Sequence, residues 1–142
     1  MPKKRELLHI CLFTLVILID QYTKWLVTAL DQSREIFGWL SFTYVRNTGL
    51  LWGKLQGTNT LLIWASIAAF AALLYYHKEF RTDMERMSHA LLLAGIWGNL
   101  IDRLLRGFVV DFIDLGWWPV FNIADSAIVV GISLYVLEQL RK

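Results

Sequence analysis

The chain has 142 residues, of which 56% are apolar, 18% charged and 14% aromatic, with a mean hydropathy of +0.47. A soluble domain carries about a quarter charged residues, so this excess of apolar side chains indicates a membrane. The length allows one domain and excludes a large multi-span transporter or a two-domain enzyme. The net charge of +2, with no basic stripe, argues against nucleic acid. The single cysteine, Cys11, excludes a disulfide framework, an iron–sulfur site and a cysteine zinc site.

A spanning helix needs roughly 20 mostly apolar residues. Four segments come close, at about 7–30, 60–76, 88–105 and 120–137. The first has a basic start and a short apolar run, like a secretory signal, and Val27-Thr28-Ala29 resembles a cleavage site. Asp20 and Lys24 would fall between that run and the site, so the segment is read as retained. The connection at 31–59 contains Leu40–Val45, where polar and apolar residues roughly alternate as in a strand. Arg46-Asn47-Thr48-Gly49 then reads as a turn, and Trp39 and Trp52 read as interfacial anchors. The shorter connection at 106–119 contains an unusually apolar run, Val109-Val110-Asp111-Phe112-Ile113, which holds Asp111 close to the bilayer surface.

Eight of the fourteen cations lie at the N-terminus, in the connection between segments two and three, and at the C-terminus. Lys and Arg accumulate in cytoplasmic flanks, so both termini are placed in the cytoplasm and the 31–59 and 106–119 connections outside. On that topology the polar groups of segments one, three and four converge toward the outer leaflet. Asp20 and Lys24 are four residues apart and share a helix face. So do Asn99, Asp102 and Arg103, and, three residues apart, Asn122 and Asp125.

Two carboxylates in a partly dry site cannot both ionise, so one keeps its proton near neutral pH. The ionised partner can activate water while the protonated one polarises a carbonyl. His9, His77 and His89 all map toward the cytoplasmic half, which excludes a Ser–His pair and shows no metal-ligand spacing. Other readings stay open. Asp20–Lys24 and Asp102–Arg103 could simply neutralise one another at membrane depth. The chain could be a proton-linked transporter, although the cytoplasmic half has few titratable groups, or a non-catalytic scaffold. Ala94, Gly95 and Gly98 read as helix packing.

The polar stretches, taken in order, resemble the type II lipoprotein signal peptidases of bacteria. The matching pieces are Asp20-Gln21-Tyr22-Thr23-Lys24, Val45-Arg46-Asn47-Thr48-Gly49, Gly98-Asn99-Leu100-Ile101-Asp102-Arg103, the run Gly107–Asp114, and Phe121-Asn122-Ile123-Ala124-Asp125-Ser126. The resemblance implies a mainly α membrane protein forming a single peptidase domain over 1–142. It would have four transmembrane helices and a small extracytoplasmic β-sheet between helices 1 and 2, in the 36–55 region, with an adjoining short helix.

The resemblance further implies an intramembrane aspartic endopeptidase of the bacterial inner membrane, with Asp111 and Asp125 as its catalytic pair and no cofactor or metal. Asn47, Asn99, Arg103 and Asn122 would orient substrate or shape the site, and Asp20 and Lys24 would support it. The implied partners are membrane lipid and a diacylglyceryl-modified prolipoprotein, cut just before the modified cysteine. Globomycin-type cyclic peptides would be inhibitors, and a monomer would suffice. The chain departs from the family pattern at Leu50-Leu51-Trp52-Gly53, where small residues are usual, and at Trp97, which is large for a helix-packing position.

Overall fold

A computed structural model describes residues 4–30, 34–49 and 58–142. Among these, four α-helices and three strands follow in the order α1 (Lys4–Leu30), β1 (Arg34–Phe37), β2 (Leu40–Asn47), α2 (Asn59–Tyr75), α3 (Asp83–Arg106), β3 (Val109–Asp114) and α4 (Ile123–Leu140). A 3-10 turn, His77–Glu79, joins α2 to α3. Helix α3 is the centre of the bundle: α1, α2 and α4 all pack on it.

Close packing of α3 on α4 follows from small residues. A Cβ placed on Gly95 would press into the Ala124 carbonyl and lie 2.6 Å from Ile128 Cγ1. One on Gly131 would come within 3.1 Å of the Ser88 carbonyl. With no side chain in the way, Ser88 Oγ donates to the Gly131 carbonyl at 2.6 Å. Small residues that let helix backbones meet are what a bundle needs where lipid removes the hydrophobic drive to associate. Trp97 does not sit in this seam; it lies on the α2 side, with its ring 5.1 Å from Phe70.

Both α3 and α4 begin at capping boxes, which moves their starts from the expected 88 and 120 to 83 and 123. Thr82 accepts from the Glu85 N–H while Glu85 accepts from the Thr82 N–H. Asn122 and Asp125 do the same for α4. Helix α3 stops at Gly107, whose φ of 79° lies in the left-handed region that ends helices.

The sheet order is β1-β2-β3, all antiparallel. Its third strand comes from the connection between α3 and α4, so the sheet is not confined to the chain between helices 1 and 2. The run at 109–112 shows no alternation because both of its faces are covered: Val109, Val110, Asp111 and Phe112 are all buried. Asn47, expected in a turn, is the last residue of β2 and pairs with Val109. Trp39 is exposed and stacks on Phe37. Leu50, Leu51, Trp52, Gly53 and the expected short helix near them lie outside the described residues.

The distribution of polarity is inverted relative to a soluble protein. Leu18, Trp64 and Val129 are 61%, 66% and 63% exposed, whereas Asp20, Lys24, Asp102 and Asn122 are fully buried. Two helical stretches, Glu6–Leu30 and Ile123–Leu140, are long and apolar enough to cross a membrane. Helix α2 is apolar but only 17 residues long, about 26 Å at 1.5 Å per residue. Helix α3 has the length, but it carries the polar groups of the interior.

Candidate active site

The polar interior has two tiers. The lower one is an ion-pair cluster between α1 and α3. Lys24 Nζ lies 2.8 Å from Asp20 and 3.1 Å from Asp102, with all three side chains fully buried. Arg106 closes the cluster on the other oxygen of Asp102. Gln21 bridges it, its amide donating to Asp20 at 3.1 Å, to the Gly98 carbonyl at 3.1 Å and to Asp102 at 3.2 Å. Each carboxylate also holds backbone from another element. Asp20 accepts from the Ala124 N–H at 2.8 Å, in the first turn of α4, and Asp102 accepts from the Val110 N–H at 3.0 Å, in β3. Four elements are thereby tied to one buried cluster. Gly98 lets Asp20 in: a Cβ there would lie 2.8 Å from its oxygen.

The upper tier holds Asp111 and Asp125. Main-chain bonds bring them together. Phe121 exchanges hydrogen bonds with Ile113 and accepts from Phe112, so the chain returns to β3 just before α4 begins. Asn122 therefore stands beside Asp111 while capping the helix that carries Asp125. Its Nδ2 donates to Asp111 Oδ1 at 2.7 Å, and its backbone N–H donates to Asp125 Oδ2 at 3.3 Å. The outer oxygens are held from opposite sides. Asn47 donates to Asp111 Oδ2 at 2.9 Å, and Asn99 donates to Asp125 Oδ1 at 2.7 Å.

Lys24 links the tiers. It donates to Asn99 Oδ1 at 3.0 Å. An ammonium can only donate, so the Asn99 carbonyl must face it and the Asn99 amide N–H must face Asp125. Burial, and then the neighbouring Asp125 carboxylate, push the Asp111 carboxyl up from its ordinary 3.8 to about 7, against the opposing amides of Asn47 and Asn122. An apolar cavity of about 400 Å³ opens beside Asp125, lined by Trp117, Trp118, Phe121, Val129 and Val130.

The structure thus brings Asp111, Asp125, Asn47, Asn99 and Asn122 into one hydrogen-bonded network, with Lys24 and Asp20 directly beneath. Arg103 is half-buried, and the charges acting on it most come from Asp125 and then Asp111. The sequence offers Arg103 and Arg106 as neighbours that could neutralise Asp102; the structure pairs it with Arg106 and not with Arg103. Residues adjacent on a helix point about 100° apart, and the partners of Asp102 are Lys24 and Arg106. Gln21 is a member that sequence reasoning passed over. Its signal was available, since a glutamine beside Asp20 in an otherwise apolar helix must find partners.

The fold is similar to that of two solved structures of a bacterial membrane enzyme, obtained by the in meso method at 2.3 Å and 1.9 Å. The TM-scores are 0.87 and 0.85, each at 34% identity over 94% of this chain, covering 87% and 93% of those chains. The architecture is therefore that of a membrane enzyme. The family model described as signal peptidase (SPase) II matches residues 12–141. Relatives called lipoprotein signal peptidase include that of Syntrophomonas wolfei, 44% identical with 84% of this chain and 83% of the relative covered. That of Halothermothrix orenii is 41% identical, with 87% and 88% covered. The chain belongs to the signal peptidase II family, and it is a peptidase.

Proposed function

We propose that this peptidase removes signal peptides from prolipoproteins, cutting before the diacylglyceryl-modified cysteine, with Asp111 and Asp125 sharing one proton around one water. The observation that carries the reading is the Asn122 bridge, which spans both carboxyl groups with a single residue. Charge balance supports it. The two tiers contain four carboxyl groups (Asp20, Asp102, Asp111 and Asp125) and three cations (Lys24, Arg103 and Arg106). One proton on the upper pair neutralises the cluster, and an unneutralised charge in a dry interior is costly.

The chemistry then runs on these residues. The ionised carboxylate takes a proton from water, whose oxygen attacks the scissile carbonyl carbon. The protonated carboxyl donates to the carbonyl oxygen and stabilises the developing negative charge. When the carbon–nitrogen bond breaks, the amine of the modified cysteine leaves with the proton taken from water, and the diol returns the other proton to the carboxyl that gave it as the new carboxylic acid forms. The pair ends as it began. The cavity beside Asp125 gives the apolar substrate a place at the lipid-facing wall of α4.

The reading includes four transmembrane helices in one domain over 1–142, working as a monomer with both termini cytoplasmic and the carboxyl pair at the outer leaflet of the bacterial inner membrane. Asn47, Asn99, Arg103 and Asn122 shape the site, no metal takes part, and globomycin-type cyclic peptides compete for it. Purified protein and a lipidated prolipoprotein provide the test. Asp111→Asn and Asp125→Asn should each lower the cleavage rate by at least ~100-fold, the low end of what acid–base groups contribute, with unchanged helix content. Wild-type rates in either variant would overturn the dyad.

A further inference from the structure

At the opposite end of the bundle from the carboxyl pair, α1 and α2 pack on α3 rather than on each other, and a cleft stays open between them. It contains two joined cavities. One, of about 570 Å³, has basic walls: Lys78 and Arg86 with the imidazoles of His9, His77 and His89, against the single carboxylate of Glu6. The other, of about 310 Å³, is apolar, lined by Phe13, Phe70, Leu74 and Leu93. They meet at His9, Ile10 and His89.

The geometry is a head over a tail. Phe13 and Leu93 follow His9 and His89 by four residues, and Phe70 precedes Leu74 by four. Each wall therefore continues about one helical turn, ~5–6 Å, further into the bundle. Two of the imidazoles are fixed by the main chain. His77 Nδ1 and His89 Nε2 each lie 2.9 Å from a carbonyl, of Leu74 and Leu73, and so carry hydrogen. In a neutral ring the second nitrogen is an acceptor, so the donors this cavity offers an anion are Lys78 and Arg86. Arg86 spends its Nε on the Phe80 carbonyl, which aims the rest of its guanidinium. Among the described residues, two permanent cations against one carboxylate give the lining a net positive charge even with neutral imidazoles.

We propose that this cleft binds one anionic phospholipid, its phosphodiester held by Lys78 and Arg86 and an acyl chain against Phe13, Phe70 and Leu93. Basic pockets between helices at a membrane surface select phosphate head groups in this way. The acyl groove distinguishes a lipid from free phosphate. The proposed orientation decides only which leaflet supplies the lipid, here the cytoplasmic one.

The test is native mass spectrometry of the purified protein with equimolar phosphatidylglycerol and phosphatidylcholine of identical chains. One phosphatidylglycerol should be retained in preference, and millimolar inorganic phosphate should not displace it. Lys78→Gln should weaken its retention about fivefold, and Lys78→Gln with Arg86→Gln about 25-fold, at ~1 kcal/mol for each cation beside an anionic lipid. Leu74→Trp, at a position 49% exposed, should reduce retention by filling the groove without altering charge. Arg141→Gln, an exposed cation at the same end outside the cleft, should leave it unchanged. Equal retention of the two lipids, displacement by inorganic phosphate, or a loss with Arg141→Gln as large as with Lys78→Gln would overturn the site. The measurement needs no cleavage, so it stands apart from the proposed reaction.

Discussion

Asn122 serves the helix and the carboxyl pair with one side chain, and the first role sets the second. Its Oδ1 is taken by the Asp125 N–H at 2.8 Å, which turns its Nδ2 to Asp111 at 2.7 Å and to the Asn99 and Val110 carbonyls at 3.1 and 3.3 Å. Asn122→Ala should therefore cost ~1 kcal/mol for the cap, read by thermal unfolding, and also lower cleavage at least ~10-fold because Asp111 loses its orienting donor. Asn122→Asp should keep the cap yet place a third carboxyl against Asp111. Its signature is near-normal unfolding with cleavage lost, a combination that a purely structural role would not produce. Asp111 itself predicts a pH dependence. Folding raises its carboxyl from 3.8 to about 7, so the folded chain holds a proton that the unfolded chain has released. That contribution to stability is complete below about pH 4 and is lost as the pH rises through about 7. Cleavage, which in the proposed reaction uses the same proton, should fall about tenfold per pH unit above about 7. Single-turnover rates between about pH 5 and 9 would show this limb. Asp111→Asn should remove the corresponding slope from the unfolding curve, and a wild-type rate flat to pH 9 would contradict the proton's assignment.

The elements are held at their crossings by residues of opposite kinds: glycine where α3 meets α4, and buried charge where α3 meets α1. Gly95→Val must move the Ala124 carbonyl and Ile128, and should cost about 1–3 kcal/mol as an overpacked core does. Because Ala124 and Asp125 share one turn, cleavage should fall with stability. Lys24→Met leaves Asp20 and Asp102 without the cation between them. Breaking a buried pair this way costs about 3–5 kcal/mol, and loss of soluble, detergent-purified protein is the expected readout. How much of this the sequence disclosed depends on the range of the interaction. The helices were legible because their signal is local: apolar runs of the right length, with shared faces for Asn99 and Asp102 and for Asn122 and Asp125. The third strand was not. Burial on both faces erased the alternation of 109–112, and its partner Asn47 lies 64 residues away from Asp111. The pairing of Asp102 with Lys24 rather than Arg103 likewise depends on how α1 is set against α3, which no spacing within α3 encodes. The small residues Ala94, Gly95 and Gly98 were readable as packing positions, although not that Gly98 admits the Asp20 carboxylate.

For the whole molecule, the two ends of the bundle differ in charge more than the counts suggest. Lys142 lies 2.5 Å from Glu85, and Gln139 lies 2.8 Å from it, so the C-terminus and the start of α3 share an end. That end also carries Lys78, Arg81 and Arg86, and α1 begins there. At the other end, Lys24 and Arg106 are occupied by Asp20 and Asp102 inside the protein. A cation already paired in the interior presents little charge to the flanking water, so the effective asymmetry favours the first end as cytoplasmic. On the proposed orientation the exposed Trp117 and Trp118, with rings 5.7 Å apart, sit at the opposite interface. This predicts the accessibility of single cysteines. With Cys11, which is exposed, replaced by serine, Trp117→Cys should react with a membrane-impermeant maleimide on intact spheroplasts. Lys78→Cys should react only after lysis. The reverse pattern would put the carboxyl pair at the inner leaflet, where a substrate whose modified cysteine emerges on the outer face could not reach it. The same experiment thus checks the topology and the access route that the proposed reaction requires.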